Sequence, residues 1–388
     1  MHPLLSHRLE IDPADPNALR SIPAAGGVYL LASETDQPIL LAFAENIRRA
    51  ITHRLTTPEE GTRTKRADLS AISQRVYWAE TFSPFETQWI HWRVARELYP
   101  KSYREMIAFP PAWFLRVDPA AAHPRFTAAA ELRDDGARYF GPFAAQRDVG
   151  AWIEMLEDAF DLCRYHHVLE LAPRGDRCAY YDMGKCPAPC DGTISMDAYR
   201  KMIANAAEFT VGRCDSRLAE LRDAMQDASA ALEFEKAAGI RRTLDRAESL
   251  QHGMEYEFVA DVSACRWLVV QRAGKPRRDP AKTLIRPYYV GGEDVVSGEA
   301  ASLSAIDSTL PAWFAAAPRI LDRPAATRPA SETISLVARF LFQREKAPGI
   351  FIRLDRGHDP AEWVDRIRAA FAKDTKTTQP NLFESDPD

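Results

Sequence analysis

The sequence predicts a multidomain α+β chain, and three observations carry that expectation. Short strand-like runs alternate with helical stretches at both ends, a long helical stretch with an apolar seam lies between them, and four cysteines crowd just ahead of the seam. At 388 residues, 46% of them hydrophobic, the chain is long enough for several compact units with ordinary buried cores. The expected division is a small α/β unit over 1–108, a cysteine-rich unit over 109–195, a helical hairpin over 196–252, an α/β unit over 253–375 and a mobile polar tail over 376–388.

Gly27 to Leu31 and Pro38 to Phe43 read as two buried strands joined by the polar residues Ser33, Asp36 and Gln37, which predicts a hairpin. Ala44 to Leu55 has helical character, and a polar loop to Arg66 follows. A third strand over Arg75 to Glu80 and a long helix from about Phe85 to Leu98 complete the first unit. Pro110, Pro111, Pro119 and Pro124 mark the way out of it, and Tyr139 to Phe143 reads as a turn opening the next. A helix is expected over Asp148 to Leu162. Leu218, Leu221, Met225, Ala228 and Leu232 then recur at alternating spacings of three and four, and Ile240, Leu244 and Ala247 continue the stripe after a break near Glu233. Two antiparallel helices can cover each other's stripes, whereas one rod cannot. Strands near Phe258 to Val262, Trp267 to Gln271 and Leu284 to Val290, then helices near Thr333 to Gln343 and Pro360 to Ala372, make up the last unit.

The net charge of −5 argues against a wholly basic nucleic-acid coat, so any contact with phosphates has to be local. Arg48, Arg49, Arg54, Arg63, Lys65 and Arg66, with His53 among them, form the densest basic candidate. Its bland alternative is a solvated helix face and loop. With no apolar run of roughly 18 residues and no leader-like start, a cytoplasmic protein without a membrane partner is expected.

Cys163, Cys178, Cys186 and Cys190 supply four thiols within 28 residues, the last three separated by seven and three intervening residues. Four thiolates complete a zinc site or hold a four-iron cluster. The Cys-x-x-Cys knuckle common in zinc sites is absent, and small buried hydrophobes are the bland alternative. Cys214 and Cys265 stand outside the pattern. At the break in the helical stretch, Leu232, Phe234, Ala237 and Ile240 are candidates for a partner-binding apolar tip.

Several of these segments, in one order, resemble landmarks of the UvrC family of excision-repair nucleases. Gly27-Val-Tyr29 resembles the opening motif of that family's GIY-YIG nuclease domain, and Ala44 to Arg49 the segment after the domain's second motif. Arg138-Tyr-Phe-Gly-Pro-Phe143 resembles the next landmark, Cys178 to Cys190 the cysteine-rich signature, and Ala228 to Ala238 the UVR motif, a helical hairpin that meets UvrB. The resemblance covers roughly residues 20 to 250. It implies a bacterial nucleotide excision repair factor with DNA and UvrB as partners, and it favours a 4Fe-4S iron–sulfur cluster over zinc at the cysteines.

The departures concern the chemistry. Where the family's second motif has a tyrosine, a glycine and a following lysine, this chain has Leu40, Ala42 and Phe43; the family's arginine falls on Ala50 and its metal-holding glutamate on His91. Only Tyr29 of the principal groups remains. Phosphodiester cleavage needs a hard cation on oxygen ligands and positive charge aimed at the phosphate, and a neutral imidazole serves magnesium or manganese poorly. The expectation is therefore a DNA- and partner-binding protein that does not cleave and holds no catalytic Mg or Mn ion. The alternatives are a structure-selective endonuclease with an altered site built on Tyr29, His53 and His91, and a pure protein-interaction module.

Overall fold

The structure, a computed structural model, describes residues 2–11, 18–56, 69–212, 215–251, 258–275, 277–291, 294–321, 331–342, 349–354 and 359–372. It is an α+β chain with three antiparallel sheets and a helical hairpin. The expected tail over 376–388 lies outside the described residues. None of the described helices is long and apolar enough to cross a membrane.

The first sheet has the order β1-β4-β2-β3, formed by His7–Glu10 (β1), Gly27–Ala32 (β2), Pro38–Ala44 (β3) and Arg75–Glu80 (β4). Glycine at 27 is required by close approach, since a Cβ there would sit 2.2 Å from the Ala79 carbonyl oxygen. Successive side chains of β2 point to opposite faces, so two cores form. Val28, Leu30 and Ala32 face the helix Pro84–Leu98 (α2), while Tyr29 and Leu31 face the helix Ile47–Leu55 (α1).

Ser83 caps α2 by accepting the Glu86 N–H at 3.1 Å, Pro84 occupies the first turn, and the Glu86 carboxylate accepts the Phe82 N–H at 2.8 Å. Every residue from Phe85 to Trp92 is buried, which a helix lying on a single sheet would not achieve. The second cover comes from the far end of the chain. Trp267, Val269, Tyr288 and Val290 of the last sheet and Leu336, Val337 and Phe340 of the helix Ser331–Leu341 share one core with Trp89 and Trp92. That sheet has the order β11-β10-β9-β13, with Arg266–Arg272 (β9), Leu284–Gly291 (β10), Asp294–Ser297 (β11) and Ile350–Arg353 (β13), and the short strand Ala301–Ser302 (β12) pairs with the start of β10. Its other face carries the helices Ile306–Leu321 and Pro360–Ala372. Glu86 is fixed across the junction by the Tyr288 hydroxyl at 2.8 Å and Arg286 at 3.1 Å, and burial raises its pKa. Among the described residues, the last sheet therefore shares a core with the first unit.

The middle sheet has the order β6-β5-β7-β8, formed by Trp113–Val117 (β5), Phe126–Ala129 (β6), Arg138–Phe143 (β7) and Ala260–Asp261 (β8). Its last strand comes from beyond the hairpin, and Arg138 ties it in through Asp261 at 3.2 Å while also pairing with Glu208, ahead of the hairpin, at 2.8 Å. The helix Gln146–Ala159 (α3) covers one face through Val149, Trp152 and Leu156. Two single-turn helices, His166–Leu169 (α4) and Ala179–Asp182 (α5), follow in the cysteine-rich loop, and Met196–Thr210 (α6) then joins the same core through Tyr199 and Phe209.

Candidate functional site

In the first unit, sheet alternation separates the candidate catalytic groups. Tyr29 is 3% exposed and shares its core with Ile47, Ile51, Leu40, Ala42 and Ala50. Three positions that the family resemblance assigns to chemistry are thus brought beside Tyr29, but as methyl and methylene groups. His91 lies across the sheet, on the buried side of α2, with its ring edge-on to Phe43 at 5.0 Å and hydrogen-bonded to the Leu41 backbone. Burial pushes its pKa down to about 4, so the imidazole is neutral at pH 7. His53 is exposed on α1. Tyr29, His53 and His91 are therefore not assembled into one site.

The basic candidates also differ from one another. The Arg48 guanidinium donates to the Ile22 carbonyl, which ties it to the chain ahead of β2. Arg49 is exposed at the start of α1, where its backbone N–H is capped by Asn46 at 3.0 Å, and Arg54 is half-buried. Arg63, Lys65 and Arg66 lie outside the described residues.

Three of the four clustered thiols are buried together beyond the end of α3. Cys163 hydrogen-bonds Cys186, and Cys190 is near enough to interact electrostatically with both. Sharing a proton with Cys186, together with burial, holds the Cys163 thiol above the usual range, and the same contact lowers Cys186. Cys178, half-buried, stands at the head of α5. Among the described residues no group of three or more His, Cys, Asp or Glu side chains is arranged to hold a metal ion. The donor chemistry suits a soft metal, whereas the geometry joins only Cys163, Cys186 and Cys190.

The loop around the thiols is well braced. Arg164 lies over Tyr180 at 4.6 Å and donates to the Lys185 carbonyl at 3.2 Å, while Arg177 pairs with Asp191 at 2.9 Å. The Tyr199 hydroxyl accepts the Cys163 N–H at 3.1 Å.

The hairpin consists of the helices Asp215–Ala230 (α7) and Phe234–Gln251 (α8), so the break falls where the sequence predicts it. Its base is part of the middle core through Leu218, Leu221, Leu244 and Ala247. Arg217 donates to the Ala159 carbonyl at 2.7 Å, and Arg246 reaches Glu154 at 2.8 Å. Its tip is apolar and uncovered, with Leu232 71% and Phe234 64% exposed. Ala237 is half-buried, and Ile240 packs at the margin of the core. Of the four candidates, two form the tip and two form the stem. The Glu86 junction and the charged groups that hold the hairpin base are not among the residues the sequence singles out, because their partners are distant in the chain.

Residues 112–209 match the model of the UvrC/Cho excinuclease middle domain, and residues 215–250 match the UvrB/uvrC motif. Among curated relatives named UvrABC system protein C, that of Trichlorobacter lovleyi is 27% identical over 240 residues, 61% of this chain and 39% of the relative. That of Syntrophotalea carbinolica is 28% identical over 242 residues, 62% of this chain and 38% of the relative, and that of Salinispora arenicola is 28% identical over 256 residues, 63% and 38% respectively. The chain thus spans less than two-fifths of the length of these relatives. No solved structure matches it significantly. The resemblance to the UvrC family therefore holds, carried by the middle domain and the UVR motif.

Proposed function

We propose that this chain is a UvrC-like factor of nucleotide excision repair that docks a UvrB-like protein through the hairpin tip and does not cut DNA. The observation that carries the reading is the exposure of Leu232 and Phe234 on a hairpin whose base is fixed in a core. A rigid stem spares an aromatic anchor much of the ordering cost of binding, and a few such anchors carry most of an interface's energy. Phe234→Ala should weaken binding to UvrB by roughly 30-fold, about 2 kcal/mol, in calorimetry. Equal binding by the variant and the parent would refute the docking role.

On this reading the first unit is a degenerate GIY-YIG-type nuclease domain. Its chemistry is gone because apolar groups surround Tyr29 and His91 lies on the other side of the sheet. Each missing charge-stabilising donor corresponds to roughly a hundredfold or more in rate. Arg49 and Arg54, with Arg63, Lys65 and Arg66, supply weak, salt-sensitive contacts to the DNA backbone. Cys163, Cys178, Cys186 and Cys190 would hold a 4Fe-4S cluster, or zinc, whose role is to pin the loop. Iron, sulfide and zinc analysis after anaerobic purification tests this assignment: a folded, metal-free protein refutes it.

A further inference from the structure

One carboxylate stands between the cysteine loop and the hairpin. Asp158, near the end of α3, gives one oxygen to the Arg164 guanidinium and the other to Arg246 on α8, the latter at 3.4 Å. Arg164 belongs to the loop. Besides Asp158 it holds the Lys185 carbonyl, one residue ahead of Cys186, and it lies over the Tyr180 ring. Only 13% of its side chain is exposed, so water competes poorly for these contacts. On the other side, Arg246 is held by Asp158, by Glu154 at 2.8 Å and by the Ala151 carbonyl at 3.5 Å. It is the charged attachment of α8 to α3, beside the apolar contacts of Leu244 and Ala247.

A continuous path results. Fixing Cys186 fixes the Lys185 carbonyl, which orients Arg164; Arg164 orients the Asp158 carboxylate, whose second oxygen receives Arg246. A carboxylate turns as a unit, so its two oxygens cannot serve the two arginines independently.

We propose that Asp158 couples the cysteine loop to the hairpin, so that the order of the loop sets how firmly the base of α8 is held and how the tip is presented. The inference deepens the docking reading above and rests on it for its biological meaning. The coupling itself is a property of this chain alone. Asp158 acts as a positioning residue: when the loop loses its order, Arg164 leaves the carboxylate, Asp158 loosens its hold on Arg246, and the hairpin base opens more often. The apolar core shared by the loop and the hairpin is the competing route. That route does not pass through a charge, which makes the two separable.

Hydrogen–deuterium exchange on the full chain provides the test, with Cys186→Ala, Asp158→Asn and the double variant compared with the parent. Coupling energies between neighbouring residues imply that Cys186→Ala accelerates exchange of the α8 amides around Arg246 by roughly fivefold when Asp158 is present. In the Asp158→Asn background Cys186→Ala should add nothing further. Unchanged α8 exchange in Cys186→Ala, or the same acceleration with and without Asp158, overturns the proposal. Should Cys186→Ala not fold, Arg164→Gln leaves every thiol in place and is read against Asp158→Asn in the same way. Because exchange is measured without any partner, a chain that fails to bind UvrB but shows the coupling refutes docking alone.

Discussion

The first sheet and the hairpin-bearing middle unit dispose of their side chains in opposite ways. In the first, the positions on which cleavage would depend point inward: Tyr29 is packed against Ile47 and Ala50, and His91 is held neutral on the buried side of α2. In the second, three thiols are gathered at one place and the large apolar residues Leu232 and Phe234 point outward. A buried position contributes to stability and an exposed apolar one is available for binding, so the two units should answer to different measurements.

The sharpest way to break this comparison is to remove a core side chain from the first unit. Trp92 is 1% exposed in the core that α2 shares with the last sheet. Trp92→Ala should cost about 3–5 kcal/mol in denaturant unfolding, and probes in both sheets should lose structure in one transition. Separate transitions would mean that the last sheet stands on its own.

Acid should destabilise the first unit through His91. Its pKa falls from 6.5 to about 4 on folding because burial penalises the imidazolium. Between those values the unfolded chain binds the proton and the folded chain does not, so stability declines as pH falls from 6.5 to about 4. The loss amounts to about 3 kcal/mol at the acid end. His91→Leu should flatten that limb of a stability–pH curve while leaving stability at pH 7 within about 1.5 kcal/mol of the parent. A limb as steep as the parent's would assign the acid sensitivity to other groups.

The smallest effect sharpens the other side. Leu232 has a φ of 60°, a left-handed conformation that costs a residue with a Cβ roughly 1 kcal/mol. Leu232→Gly should therefore leave thermal stability equal or slightly raised while weakening binding to a UvrB-like partner. A marked loss of stability would show that the tip packs on the chain itself.

Periodicity made part of this architecture legible. The strands over Gly27–Ala32 and Pro38–Ala44, the long helix α2 and the break in the hairpin follow from apolar spacing and capping, which are local properties. The strand His7–Glu10 was not legible, because its four residues are mostly polar and it owes its form to pairing with β4. The helix Ile306–Leu321 was hidden by Pro311 and Pro318 within it. Thiol spacing singles out four cysteines, but the chain path decides that Cys163 and Cys186 hydrogen-bond with Cys190 nearby, while Cys178 stands at a neighbouring turn. The Glu86–Tyr288 bond joins residues about 200 positions apart, and no local pattern announces it.

The central claim, that this chain engages DNA and a protein partner without cleaving, is tested most directly by one nicking assay on damaged and undamaged duplex with Mg or Mn present. Binding is followed in the same samples. The account predicts DNA binding that falls steeply with added salt and no conversion of intact to nicked strands. Metal-dependent nicking that Tyr29→Phe or His91→Ala abolishes would contradict it.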